Sequence, residues 1–174
     1  DGGLLTVKPV IYAANLDEDG MMNLDTNANF AALKKIADEQ SAAVLPVAAK
    51  FEEDIAGMEP DEAEMFMADL GLTETGLDRL IKTSYDLLGY ISFLTAGEDD
   101  VHAWTITRGT KAPKAAGKVH SDIERGFIRA EIVAFDDLKA CGSMAAAKEK
   151  GLLRLEGKDY VMQDGDITNF RFNI

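Results

Sequence analysis

Apolar residues follow two different patterns along the chain, and the change comes near Gly89. Before this glycine, short apolar runs alternate with stretches whose apolar residues recur at three- and four-residue spacing, which is typical of buried strands and amphipathic helices. After it, most apolar residues alternate at period two, which is typical of half-buried strands. The pattern therefore predicts two units, an α/β unit over residues 1–89 and a small α+β unit over residues 90–174.

The first unit begins with the strand, helix and strand of a βαβ unit. Residues 7–14 and 42–48 are apolar runs, and we predict that both are buried strands of a parallel sheet covered on both faces. Residues 27–40 between them carry a helical pattern, and Asn27 stands where it can cap the first turn.

Two further helices complete the first unit. Pro60 stands where a first-turn proline belongs, and the helix that it opens reaches Leu70. The next helix runs from Thr75 to Leu88, and Gly89 supplies the stop. Its apolar stripe consists of Leu77, Leu80, Ile81, Tyr85 and Leu88.

The second unit is predicted to be rich in strands. Residues 90–94 and 101–106 form a hairpin around a turn at 96–100. The remaining predicted elements are a short helix over 115–125, a strand over 128–133, a helix over 143–150 and two short closing strands, around 163–166 and at 168–174.

The charge is distributed unevenly over the two units. The whole chain has a net charge of −13, which argues against a general nucleic-acid binder and against DNA as a partner. Residues 108–129, however, hold six basic and two acidic residues, and we predict an exposed surface there that meets RNA phosphates. The candidate RNA or ribosome contacts are Arg108, Lys111, Lys114, Lys118 and Arg125. The alternative is a solvated face that balances nearby acids.

The sequence gives no indication of a membrane partner. No apolar run approaches the ~20 residues that a membrane-spanning helix needs, and no signal peptide is visible. The single cysteine, Cys141, excludes an internal disulfide framework and fits a reducing compartment. We therefore expect a globular, cytoplasmic protein.

Several stretches, taken together, resemble the YchF family of Obg-like ATPases, in the family's own order and over nearly the whole chain. They are KPVIYAAN at 8–15, GLDRLI at 76–81, FLTAG at 93–97, AWTI at 103–106, HSDIERGFIRAE at 120–131 and EGKDYVMQDGD at 156–166.

This resemblance implies a P-loop nucleotide-binding domain, interrupted by a helical insertion, and then a TGS domain with a ubiquitin-like β-grasp fold. Residues 1–89 would be the C-terminal portion of the nucleotide-binding domain, and residues 90–174 would be the TGS domain. The function implied is that of a ribosome-associated ATPase that binds ATP in preference to GTP.

The sharpest candidate site follows the first predicted strand, at Asn15-Leu16-Asp17-Glu18. Ordinary GTPases have Asn-Lys-x-Asp at this place, and the aspartate accepts hydrogen bonds from guanine. The resemblance implies that Asn15 and Leu16 contact the base and that Glu18 marks the departure from guanine specificity. Without that resemblance, Asn-x-x-Glu after a strand indicates only a polar turn or a helix cap.

A second candidate segment, Ala48-Ala49-Lys50, ends the second predicted strand. Relatives have a Ser-Ala dipeptide beside the base here, and small residues let the backbone approach the ring. Ala49 is therefore a candidate base contact, whereas Ala48 replaces the serine and removes its hydroxyl. A strand end with small residues is the alternative interpretation.

The chain lacks a phosphate-binding loop. Such a loop needs Gly-x-x-x-x-Gly-Lys-Ser/Thr, and the nearest match, residues 112–119, has alanine for the first glycine and valine for the hydroxyl residue. We expect this chain alone to hydrolyse nothing, with ATP as its cofactor and Mg²⁺ bound only in the full-length protein. No catalytic or metal-binding residue is assigned.

Two other functions remain open. The chain is either an RNA- or protein-binding regulatory module of the TGS type without a nucleotide role, or an interaction domain without a ligand. If part of the nucleotide domain is missing, an apolar face is exposed where that part would pack, and self-association through this face is expected.

Overall fold

The computed structural model describes residues 3–97 and 100–173. The chain divides into two compact units, Asp1–Leu88 and Gly89–Ile174. Within the described residues, no helix has the length and apolar character that crossing a membrane requires.

The first unit consists of a two-stranded parallel sheet with helices around it. Its strands are β1 (Ile11–Asn15) and β2 (Ala43–Val47), and its helices are α1 (Glu18–Met22), α2 (Ala28–Glu39), α3 (Ala49–Ile55), α4 (Pro60–Asp69) and α5 (Gly76–Leu88). Short 3₁₀ turns lie at Leu5–Val7 and Leu24–Thr26. The predicted βαβ unit is thus present, with α2 between the two parallel strands.

Local sequence signals fix the ends of the predicted helices. The side chain of Asn27 accepts hydrogen bonds from the backbone N–H groups of Asn29 and Phe30, as predicted for a cap. Pro60 is the first residue of α4. Gly89, directly after α5, has a φ of +65°, which glycine adopts without strain.

The prediction for the first strand was wrong in its start and in its burial. Val7 lies in a 3₁₀ turn, and the strand begins only at Ile11, after Pro9, which has no backbone N–H for a sheet ladder. Within β1 only Ala14 is buried, and Ala13 is exposed, because the described residues do not cover that face of the strand.

The predicted loop at 15–20 and the predicted end of the second strand also need correction. The side chain of Asp17 accepts a hydrogen bond from the N–H of Gly20 at 2.8 Å, so that Gly20 lies inside α1 and not in a turn. The second strand ends at Val47, and the small residues that follow it lead into α3, which was not predicted.

Helix α5 is strongly amphipathic, but its apolar side is largely uncovered. Leu77 is 65% exposed, Ile81 is 50% exposed, and Leu80 and Leu88 are exposed as well. We call these four residues the apolar face. A stripe of this kind on a helix normally packs against a core.

The second unit is a five-stranded sheet with the strand order β4-β3-β7-β5-β6. Its elements are β3 (Tyr90–Ala96), β4 (Val101–Thr107), α6 (Ala112–Val119), α7 (Ser121–Arg125), β5 (Phe127–Ala134), α8 (Phe135–Cys141), α9 (Met144–Glu149), β6 (Arg154–Glu156) and β7 (Asp166–Phe172). Strand β7 pairs parallel to β3 and antiparallel to β5, so the last strand of the chain is central. Glu98 and Asp99 of the predicted hairpin turn lie outside the described residues.

Two predictions in this unit were wrong. The single helix predicted over 115–125 is two helices, because His120 between them has an extended backbone (φ −161°). The Nδ1 atom of His120 accepts a hydrogen bond from the N–H of Asp122 and so caps α7. Residues 163–166 lead as a turn into β7, and the additional strand is β6, which pairs with β5.

A buried carboxylate holds the turn before β7. Asp166 is 1% exposed. It accepts hydrogen bonds from the hydroxyl of Tyr160 at 2.8 Å and from the N–H of Gln163 at 2.9 Å, and Arg154 lies 3.3 Å away. Burial, with the hydrogen bond to Asp166, raises the pKa of Tyr160 above its usual value. These contacts fix where the central strand begins.

We predict that Gly126→Ala destabilises the second unit. An added Cβ would lie 2.9 Å from the carbonyl carbon of Asn173 and closer still to its oxygen, so that backbone would have to move. Overpacking of this kind costs about 1–3 kcal/mol. The fluorescence of Trp104 during urea unfolding reports on this unit, and Gly157→Ala, where a Cβ meets nothing within 4 Å, is the control. Equal unfolding midpoints for the two variants would contradict the prediction.

Candidate functional site

The candidate site lies at the edge of the sheet where β1 and β2 end. The two strands are parallel, and Asn15, the last residue of β1, is paired in register with Val47, the last residue of β2. The segments that follow the strands therefore leave the sheet side by side. In open parallel sheets, ligands bind outside this carboxyl edge.

A side-chain hydrogen bond joins the two segments. The Oδ1 atom of Asn15 accepts from the backbone N–H of Ala49 at 3.1 Å. The N–H of Leu16 donates to the carbonyl of Val47 at 2.8 Å. The structure thus brings together three of the four residues that the sequence predicts beside the base, namely Asn15, Leu16 and Ala49.

The same bond replaces a missing helix cap. Ala48 is the N-cap residue of α3 and has no side-chain acceptor, so the first N–H groups of this helix lack a local partner. Asn15 supplies that partner from 34 residues earlier in the chain. Ala48 itself is buried, whereas Ala49 is exposed. The site therefore presents a residue with no side chain beyond Cβ, against which a flat ring fits.

Leu16 and Glu18 occupy different surroundings. Leu16 is half-buried and packs against the small cluster of Met21, Ala48 and Phe51, so that part of its side chain is still available to a ligand. Glu18 is exposed in the first turn of α1. Within the described part of the chain, no hydrogen bond or ion pair joins its carboxylate to Asn15 or Ala49.

Two charged residues, Glu52 and Arg79, support the end of β2. The sequence alone did not predict this role for either of them. Glu52 in α3 accepts a hydrogen bond from the N–H of Gly76 at 2.6 Å. Arg79 in α5 donates to the carbonyl of Pro46 at 2.9 Å, and its Nη2 lies 3.8 Å from Oε1 of Glu52. A Cβ on Gly76 would lie 2.7 Å from Oε1 of Glu52, so a larger residue would displace the Glu52 carboxylate from this hydrogen bond.

The signal for this support was present in the sequence. Arg79 is one of only six basic residues among the first 89, and it lies in the GLDRLI stretch that resembles the family. A basic residue in so acidic a unit indicates a specific partner, but the sequence did not identify Glu52 as that partner. Next to this support lies a mostly apolar cavity of about 520 Å³, which Ala49, Glu52 and Leu77 help to line.

The nearest match to a phosphate-binding loop is a packed helix. Residues 112–119 form α6, and Ala112, Ala115 and Ala116 are buried in the core of the second unit. A helix held in this way offers no loop of free amides to cradle phosphates. Within residues 3–97 and 100–173, no group of three or more His, Cys, Asp or Glu side chains is placed to hold a metal ion.

The structure separates the five predicted RNA contacts. Lys111, Lys114 and Lys118 line one cavity of about 740 Å³. Arg108 and Arg125 are not among its lining residues, and Arg125 is paired with Asp122.

Comparisons with known proteins found a matching family model for the second unit and relatives that match nearly the whole chain. A family model named YchF-GTPase_C and described as "Protein of unknown function (DUF933)" matches residues 90–173. The chain is 54% identical to the ribosome-binding ATPase YchF of Bacillus subtilis (strain 168), with 98% of this chain and 47% of that protein covered. It is 42% identical to Obg-like ATPase 1 of Oryza sativa subsp. japonica, with 98% and 43% covered.

A solved structure extends this similarity to the fold. The structure of the Schizosaccharomyces pombe YchF GTPase superimposes with a TM-score of 0.78 and 36% sequence identity, over 97% of this chain and 44% of that chain. The chain therefore spans about half the length of the relatives it matches.

We predict that Asn15→Ala frees the end of β1 from the start of α3. Loss of one hydrogen bond should lower the stability of the first unit by about 0.5–1.5 kcal/mol. The amide of Ala49 should exchange faster in hydrogen-exchange NMR. Asn15→Asp, which keeps an acceptor oxygen, should largely preserve its protection. Asn29→Ala, at an exposed position in α2, is the control, and unchanged exchange at Ala49 in Asn15→Ala would disprove the assignment.

Proposed function

Because this chain belongs to the YchF family, we propose that it is the C-terminal part of a ribosome-associated P-loop ATPase of that family. Residues 1–89 would complete the nucleotide-binding domain, and residues 90–174 would be its TGS domain. The observation that carries the nucleotide role is the bond between Asn15 and Ala49, which joins two loops at the carboxyl edge of a parallel sheet.

The architecture of the second unit supports the TGS assignment. A mixed sheet in which the first and last strands lie parallel at the centre, with the hairpin partner of the first strand at one edge, is the arrangement of a ubiquitin-like β-grasp. The order β4-β3-β7-β5-β6 has this form.

The corner at Asn15 fits a purine base. The Oδ1 atom of Asn15 accepts the hydrogen bond from the N–H of Ala49. The side-chain NH₂ group of Asn15 has no partner among the described residues, so it can donate to a ring nitrogen. Ala49 allows the ring to approach the backbone, and Leu16 offers apolar cover. These contacts serve adenine and guanine alike.

The choice between the two bases depends on the loop around Glu18. An aspartate at this place accepts hydrogen bonds from the ring N–H and the 2-amino group of guanine, whereas adenine lacks the 2-amino donor. Glu18 lies in a helical turn, and no residue that the structure describes fixes its carboxylate by a hydrogen bond or an ion pair. We propose that the site consequently prefers ATP to GTP.

The phosphates and Mg²⁺ would be bound by the remainder of the full-length protein. This chain supplies neither a phosphate loop nor a hydroxyl ligand for magnesium, and alone it would not hydrolyse ATP. The same remainder would cover the apolar face. Its side chains Leu77 and Ile81 are exposed here, and an apolar stripe of this kind normally packs against a core.

Association with the ribosome, and with it a cytoplasmic location, is the third part of the proposal. Relatives at 46–54% identity are ribosome-binding ATPases by name. The basic surface of the second unit gives this association a local basis. A regulatory module that binds RNA or protein without any nucleotide role is the alternative, and nucleotide binding distinguishes the two.

We predict that the full-length protein binds ATP more tightly than GTP and that this chain alone binds either only weakly. Leu16→Lys with Glu18→Asp restores Asn-Lys-x-Asp and should shift the preference towards GTP at least about tenfold, or about 1.4 kcal/mol. Isothermal titration calorimetry measures both affinities, with thermal unfolding to verify folding. Glu39→Asp, at the end of α2, is the control. Equal affinities for ATP and GTP in the unaltered protein would refute the adenine assignment.

We also predict that this chain alone self-associates through the apolar face. Ile81→Glu introduces a charge into that face and should shift sedimentation-velocity profiles towards the monomer. Asn29→Glu adds the same charge to an exposed polar position and should change nothing. Identical profiles for the two variants would show that the apolar face is not the contact.

A further inference from the structure

A groove on the second unit combines positive charge with hydroxyl groups and an aromatic ring. Lys111, Lys114 and Lys118 line it, together with neutral residues that include Tyr90, Thr107 and Thr110. We call it the lysine groove. No acidic side chain is among its described lining residues, although the chain as a whole has 31 acids and 18 bases. Two acids, Asp159 and Glu124, lie beside the groove as ion-pair partners of Lys111 and Lys114.

Lys114 and Lys118 lie one turn apart on the same side of helix α6. Lys111 is the N-cap residue and comes directly before the helix, with an extended backbone. The opposite side is anchored, because Ala112, Ala115 and Ala116 are fully buried. The charges are therefore borne by a fixed element, and only the lysine side chains need to move to reach a ligand.

The present partner of Lys111 is exchangeable. Lys111 is 2.8 Å from Asp159, whose side chain is 95% exposed, and Lys114 pairs with Glu124. The first pair is exposed and contributes little to stability, so a phosphate can replace Asp159 at small cost, whereas Glu124 is half-buried. Among the residues that the structure describes, Lys118 has no ion-pair partner at all.

The neutral lining favours RNA over a purely ionic ligand. The ring of Tyr90 lines the groove and is 38% exposed, and an aromatic ring at a groove wall offers a platform for a base. The hydroxyl of Thr110 already donates to the carbonyl of Thr107 at 2.6 Å, so it can accept from a ribose hydroxyl. A base that stacks on Tyr90 must be unpaired, which favours a single strand over a duplex. An acidic protein segment would use the lysines but has no base to stack on Tyr90.

We infer that the lysine groove binds the phosphate backbone of single-stranded RNA, with one base stacked on Tyr90. The inference rests on the ribosome association proposed above and specifies its contact: an unpaired RNA segment, held by Lys111, Lys114 and Lys118 and not by Arg125. Arg108 and Arg125, the other two basic residues predicted to contact RNA, are not among the residues that line the groove.

The test measures binding of the intact chain to a fluorescein-labelled single-stranded RNA 12-mer by fluorescence anisotropy at several KCl concentrations. The triple variant Lys111→Gln, Lys114→Gln, Lys118→Gln should lose at least about tenfold in affinity, and the slope of log K against log[KCl] should become shallower by about 2. The matched triple change of Lys139, Lys148 and Lys150 to Gln should alter neither quantity. Tyr90→Leu should weaken binding at least about fivefold without changing the slope.

Three results would overturn the inference. The first is an equal loss of RNA affinity in the two triple variants. The second is that an RNA duplex of the same length binds as tightly as the single strand or more tightly. The third is that a polyglutamate peptide binds more tightly than the RNA. Ribosome co-sedimentation of the full-length protein separates this failure from that of the proposed function. If the unaltered protein does not pellet with ribosomes, the proposed association is wrong. If it pellets and the lysine triple variant pellets equally, only the lysine groove is refuted.

Discussion

The parallel pairing of β1 with β2 is the constraint on which the candidate nucleotide site depends. Five residue pairs set its register and place Asn15 opposite Val47. A shift of one residue would turn each side chain of β1 to the other face of the sheet. The Asn15 side chain would then point away from Ala49, and the first turn of α3 would lose this side-chain acceptor. The register of the strand pair therefore determines both the start of α3 and the geometry of the candidate base-binding site.

The support beneath this corner explains why a small sheet can hold it. Two strands alone are marginally stable in water. Here Arg79 and Glu52 connect β2 to both α3 and α5, and Gly76 allows the close approach that these contacts need. The partly buried guanidinium leaves Nε and Nη2 without hydrogen-bond partners, so this support is not fully satisfied. The apolar face on the same helix is likewise uncovered among the described residues.

The sequence predicted elements well where local chemistry decides them and poorly where distant contacts do. Asn27, Pro60 and Gly89 mark helix ends by their own geometry, and these ends were confirmed. Helix α3 was missed because its cap comes from Asn15, far away in the chain. The turn before β7 was assigned to a strand because nothing local shows that Asp166 is buried and bonded to Tyr160. The proximity of Asn15 to Ala49 followed from family resemblance, whereas the role of Glu52 required the fold.

Charge links the two candidate sites, since the same chain carries an acidic first unit and a lysine groove. The excess of acids repels a polyanion at long range, and physiological salt screens that repulsion beyond about 8 Å. The lysines act at contact, where screening is weaker but each phosphate bound still releases counterions. Salt therefore weakens attraction and repulsion together, and the total salt dependence of RNA binding is smaller than three lysines alone would give. The difference in slope between the unaltered chain and the lysine triple variant removes the shared repulsion, because both proteins keep the same acids. That difference, and not the slope itself, isolates the contribution of the groove.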